Sequence, residues 1–131
     1  MDRIQELEGE VRQLRELLRS LTLSVQFDDR EPYEAYLAER EIAGDQKLAL
    51  QLVIASVLSR AMGDVPQKVR DESLLRAYPV IAEAQQDGNI SLAEGIRMIG
   101  QIVGTQAEAI KCLEAHRDRG LFLEGHEALG I

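Results

Sequence analysis

Apolar residues near the start of the chain follow a seven-residue period. Ile4, Leu7, Val11, Leu14, Leu18, Leu21 and Val25 recur in alternating steps of three and four, with polar residues dominating the positions between. Taking Ile4 as heptad position a puts Ile4, Val11, Leu18 and Val25 at a, and Leu7, Leu14 and Leu21 at d. β-Branched residues at a with leucine at d fit the holes of a parallel two-stranded coiled coil. The flanking charges agree with that orientation. In a parallel pair Arg3 at g faces Glu8 at e of the second chain, and Glu10 faces Arg15. An antiparallel pair keeps Glu8 with Arg15 and loses the others. Each contact contributes only about 0.3–0.5 kcal/mol, so the charges bias the orientation by roughly 1 kcal/mol. Leu17 at g widens the stripe, and Leu21, Leu23, Val25 and Phe27 alternate as a strand does. The competing use of such a stripe is to cover the chain's own core.

The pattern changes after this helix. Asp28-Asp29-Arg30-Glu31-Pro32 interrupts the periodicity, and Pro32 suits the first turn of a new helix. Residues 27–31 therefore read as a hinge. A second helix is expected from Pro32 to Met62, bent near Gly44 and Asp45. Its half from Leu48 to Leu58 is apolar nearly all round, as a central core helix must be. Gly63 suits its C-terminus. A third helix is expected from Pro66 to Gln86, broken or kinked at Tyr78-Pro79. After Asp87-Gly88-Asn89, Ser91 and Glu94 form a capping-box pair opening a fourth helix to about Arg117. Gly95, Gly100 and Gly104 inside it each cost about 1 kcal/mol against alanine, which implies a close helix crossing. Gly120 ends that helix.

These elements give an all-α fold. Residues 1–26 form a coiled-coil oligomerisation helix, 27–31 a hinge and 32–120 a small helical bundle domain. Residues 121–131 form an apolar tail packed on the core or in an interface, since Leu121, Phe122, Leu123, Leu129 and Ile131 are too apolar to float free.

Composition narrows the functions. The chain has 131 residues, 45% hydrophobic and 29% charged, close to the globular average. A net charge of −8 repels phosphate backbones, so no nucleic-acid partner is expected. The acidic cluster of Asp28, Asp29, Glu31 and Glu34 offers a patch for a cationic partner, or simply a solvated surface. A single cysteine, Cys112, fits a reducing compartment. The first residues carry no signal-peptide pattern, and Leu48–Leu58 is about half of the roughly 20 residues a bilayer helix needs. The expectation is a cytoplasmic protein with no membrane partner.

Reactive chemistry finds little support. Asp87-Gly88-Asn89-Ile90-Ser91-Leu92-Ala93-Glu94 resembles the second half of an EF-hand calcium loop. That family needs aspartate first and Asp or Asn third, where this chain has Glu83 and Gln85. A glycine-ended helix followed by a capping box explains the same eight residues. Cys112 and His116 share a helix face, with His126 further on, but zinc needs a fourth ligand from Glu124 or Glu127 at a spacing that matches no known signature. Glu114 with His116, and Glu124 with His126, are two apart and miss the Glu-x-x-His spacing of di-iron bundles. Neither a nucleophile elbow nor a phosphate-binding loop occurs. Carboxylate pairs such as Glu39 with Glu41 and Asp71 with Glu72 are expected to face water. No catalytic residue, cofactor or metal is assigned. The function expected is a non-enzymatic adaptor or regulatory module, dimerised by its N-terminal coiled coil and binding another protein. The alternative is an acidic inhibitor or immunity-type protein blocking a basic target such as a nuclease.

Overall fold

The computed structural model describes residues 3–26, 32–120 and 122–131, with the side chains of 16–26 left out. The described residues are helical and contain no strand. The first helix, α1, runs Arg3–Gln26, the span set by the heptads. It is followed by α2 (Pro32–Glu39), α3 (Gly44–Ala61), α4 (Glu72–Ala77), α5 (Val80–Ala84), α6 (Leu92–Val103), α7 (Gln106–Asp118) and α8 (Leu123–Leu129). The hinge expected at 27–31 lies outside the described residues.

The centre of the molecule is α3, which packs against α5, α6 and α8. Ala49, Leu50, Val53, Ile54 and Val57 are all 0–1% exposed, but the helix is not enclosed all round as expected: Leu48 is 45% exposed, and Gln51 and Ala55 share its open edge. A second group forms where α7 packs between α2 and α6, burying Tyr33, Leu37, Cys112 and Leu113. The close crossing expected from the glycines occurs at Gly95, where an added Cβ would lie 2.9 Å from Val57 Cγ1 of α3.

Three long helices expected from the sequence are shorter in the structure, each for a local reason. The helix starting at Pro32 ends at Glu39. Glu41 then turns left-handed (φ 56°), and α3 starts afresh at Gly44, whose φ of 60° suits glycine. Pro66 opens no helix. Residues 64–71 run without helix, tied where Val69 N–H donates to the buried Gln85 Oε1 at 2.9 Å, and α4 starts only after Asp71 caps Leu74 N–H. The expected break at Tyr78-Pro79 separates α4 from α5. The helix from Ser91 stops at Val103. Gly104 adopts φ 112°, and Thr105 Oγ1 accepts the Glu108 N–H at 3.1 Å, starting α7. Gly100 lies against this turn, an added Cβ being 3.2 Å from the Thr105 carbonyl.

The expected caps form. Gly63 (φ 84°) follows α3 in a Schellman arrangement, Asp64 N–H reaching Ser59 O at 2.8 Å. Ser91 and Glu94 make both bonds of the capping box. The tail divides: α8 lies on α3 with Leu129 buried, while Phe122 and Leu123 are 68% and 55% exposed. No helix among the described residues is long and apolar enough to cross a membrane.

Candidate assembly surface and buried polar sites

The expected assembly residues are exposed where their side chains are described. Leu7, Val11 and Leu14 are 50%, 46% and 59% exposed, and Ile4 is 62% exposed. The seam therefore does not lie on the protein's own core over its first two heptads. Ile4, Leu7 and Val11 line a shallow apolar groove edged by Glu8, Arg12 and Arg15. Arg3 and Glu10, the g-position partners, are exposed as well. The side chains of Leu17, Leu18, Leu21 and Val25 lie outside the described residues.

Of the acidic patch, Asp28, Asp29 and Glu31 lie outside the described residues. Glu34 sits in the first turn of α2, its carboxylate 3.4 Å from Lys47 Nζ of α3.

The EF-hand-like stretch is occupied by the protein's own donors. Arg60, 6% exposed at the end of α3, aims its guanidinium at the α5–α6 connection. Nε donates to Gly88 O at 2.8 Å, Nη1 to Ala84 O at 3.2 Å and Glu83 O at 3.4 Å, and Nη2 to Asn89 O at 3.3 Å. Ala84 and Glu83 end α5, so the cation also sits at the negative pole of a helix. Meanwhile Glu94 Oε1 accepts the Ser91 N–H and hydroxyl. Carbonyls turned towards a buried cationic side chain are unsuited to receiving a second cation. Among the described residues no group of three or more His, Cys, Asp or Glu is arranged to hold a metal ion.

A polar cluster absent from the sequence reading joins α2 to α7. Tyr36 O–H donates to the Glu108 carbonyl at 3.0 Å, and Arg40 pairs with the Glu108 carboxylate while its guanidinium stacks 3.9 Å from the Tyr36 ring centre. The Arg40 hydrogen bond holds the Glu108 carboxyl below its ordinary range. Burial raises the Tyr36 phenol. Thr105-x-x-Glu108 was the signal available for this corner: the threonine caps the helix and the glutamate faces α2.

Cys112 and His116 share the inner face of α7, as their spacing requires, and both are buried. Burial pushes the Cys112 thiol up to about 12, which keeps it protonated and unreactive at neutral pH. His116 does not face Cys112 as a dyad. Its Nδ1 lies 2.9 Å from Nε2 of His126, and His126 Nδ1 lies 2.8 Å from the Phe122 carbonyl oxygen. The rings are buried, with the Tyr33 ring edge-on to His116 at 4.8 Å. A cleft of about 320 Å³, lined in part by Tyr33, Leu58, Met62, His116, Arg119 and Phe122, opens beside them. Phe122 holds φ 59°, an uncommon conformation for a non-glycine residue, and its carbonyl accepts the His126 bond. Sequence spacing gave no sign of this pairing, because a helix end and a turn separate the two histidines.

Comparison with known proteins finds no matching family model, no similar curated protein and no similar solved structure.

Proposed function

We propose that the chain is a non-enzymatic interaction module that dimerises through a parallel coiled coil of α1 and presents two copies of its helical domain to a protein partner. The observation carrying this reading is a heptad seam whose Leu7, Val11 and Leu14 stand half-exposed on a helix of 24 residues, about 36 Å long. Fully burying an exposed side chain of this kind contributes about 1.5–3 kcal/mol, of which a half-exposed one still has about half to gain, so the seam gains most by meeting an equally apolar seam. A second copy supplies one in register. It also places Glu8 opposite Arg3 and Arg15 opposite Glu10, which favours the parallel arrangement by roughly 1 kcal/mol. Two tethered domains then bind a repeated or dimeric target with an avidity that one domain lacks.

The test is the double variant Leu7→Lys, Leu14→Lys. Sedimentation is expected to fall from twice the 14.6 kDa chain mass to one chain mass, with the thermal unfolding of the core retained. An unchanged mass in the variant, or a wild-type chain that already sediments as a monomer, refutes the proposal.

A further inference from the structure

The two histidines of the chain pair across ten positions of sequence, and their protons are fixed from the outer end. A carbonyl only accepts, so His126 Nδ1 carries the hydrogen that meets Phe122 O. His126 Nε2 is then a lone pair and takes the Nδ1–H of His116. Each neutral ring thus has one donor used, and His116 Nε2 is left proton-free. One added proton is compatible with the contact, since the couple still has one donor and one acceptor face to face. A second proton sets N–H against N–H at 2.9 Å, with two like charges in a buried site.

Apart from the Phe122 carbonyl, which favours a proton on His126, the surroundings oppose that charge. Arg119 disfavours a cation on His116, and Arg117 disfavours one on His126. Tyr33 approaches from α2, with its phenol kept neutral by burial, and Cys112 lies one turn back on α7 as a protonated thiol. From α3 and its cap come Leu58, Ser59 and Met62 along the cleft, none of which titrates. Desolvation, then His126 and Arg119, bring His116 down to about 4, and desolvation lowers His126 as well.

The element held by this bond is small. α8 has seven residues, and its other attachments include Gly125 against Leu58 of α3 and the cap residue Met62, and Leu129 against Gly95 of α6. So short a helix has little stability without its docking site. We propose that α8 is an acid-released latch, closed on α3 while the His116–His126 couple is neutral and freed when both rings are protonated. Freed rings reach water and titrate near their ordinary 6.5, so opening takes up two protons. The open population then rises up to about 100-fold for each pH unit below that value, down to the range where the closed form itself titrates. Because the folded histidines titrate low, the stability they contribute is complete above pH 6.5 and is lost as the pH falls towards 4. The cleft beside His116 is the proton's way in.

Amide hydrogen exchange of the full chain, corrected for intrinsic rate, tests this between pH 7.5 and 4.5. The amides of 123–129 are expected to lose protection by more than about tenfold while α3 and α6 keep theirs. In a His116→Phe, His126→Phe double variant the protection of 123–129 is expected to be flat across the range. If that variant fails to fold, His126→Gln serves: its amide oxygen accepts from His116 but takes no proton, so the dependence drops to about tenfold per pH unit. Protection of 123–129 that is indifferent to pH overturns the latch. So does protection lost in step with α3 and α6, or an unaltered pH dependence in the His126→Gln variant.

Discussion

α1 and α3 are both long helices rich in aliphatic residues, yet they end in opposite environments. In α3 a broad apolar face is covered by α5, α6 and α8 until Leu50, Val53 and Val57 reach 0% exposure, while Leu48, Gln51 and Ala55 stay on an exposed edge. In α1 they form a narrow stripe with charges on both flanks, and Leu7, Val11 and Leu14 stay about half exposed. The width of the stripe makes the difference. A broad apolar face is enclosed by the chain's own helices, whereas a two-in-seven stripe with paired flanking charges matches one equal helix. The first builds the domain. The second is available for assembly.

Substitutions that separate the two regions follow, from the largest effect down. Arg60→Ala is aimed at the α3 region. It strips four carbonyl contacts at a buried site, and among the described residues only Glu83 O keeps a backbone donor, Gln86 N–H, so a loss of about 3 kcal/mol in chemical denaturation is expected. Arg60→Lys is expected to recover only part of it, because an ammonium cannot reproduce the planar fork. The mass of the assembly is expected not to change in either variant. A change in mass would mean that the core and the seam are one unit.

A smaller effect is expected at Gly9, heptad position f on the outer face of α1. An added Cβ meets nothing within 4 Å there. Gly9→Ala is expected to stabilise the α1 helix by about 1 kcal/mol, read as increased helicity and tighter self-association. The midpoint for unfolding of residues 32–131 should not move. A weaker association would place Gly9 in the contact and overturn the heptad assignment.

Sequence reading reached the elements governed by local chemistry. The α1 span, the buried character of α3, the Ser91–Glu94 box, the Gly63 cap and the break at Pro79 all follow from residues within a turn of one another. It failed where a distant group decides. Pro66 resembles a helix start, but Gln85, nineteen residues later, holds Val69 in a non-helical stretch. The apolar rhythm from Ser91 predicts one helix to about Arg117, because apolar residues on each side of the turn continue it, although Gly104-Thr105-x-x-Glu108 carries both a stop and a start signal. Arg60 is a polar residue at the end of an apolar helix, and nothing local says it reaches the carbonyls of 83–89. The His116–His126 couple depends on the turn through Gly120 and on the left-handed Phe122. Periodicity places Ile4, Leu7, Val11 and Leu14 on one face of α1, and the structure leaves that face exposed, which periodicity alone does not decide.

The central claim, that α1 joins two chains side by side in the same direction, is tested most directly by Leu7→Cys under mild oxidation. Leu7 is a d residue near one end of the helix, so a parallel pair brings two copies within disulfide reach and an antiparallel pair sets them far apart. Cys112 is buried, with its thiol raised to about 12, and stays out of the reaction. The expected result is a near-complete disulfide-linked dimer on a non-reducing gel, absent when Leu14→Lys is added. A chain that remains unlinked under the same oxidation contradicts the parallel coiled coil.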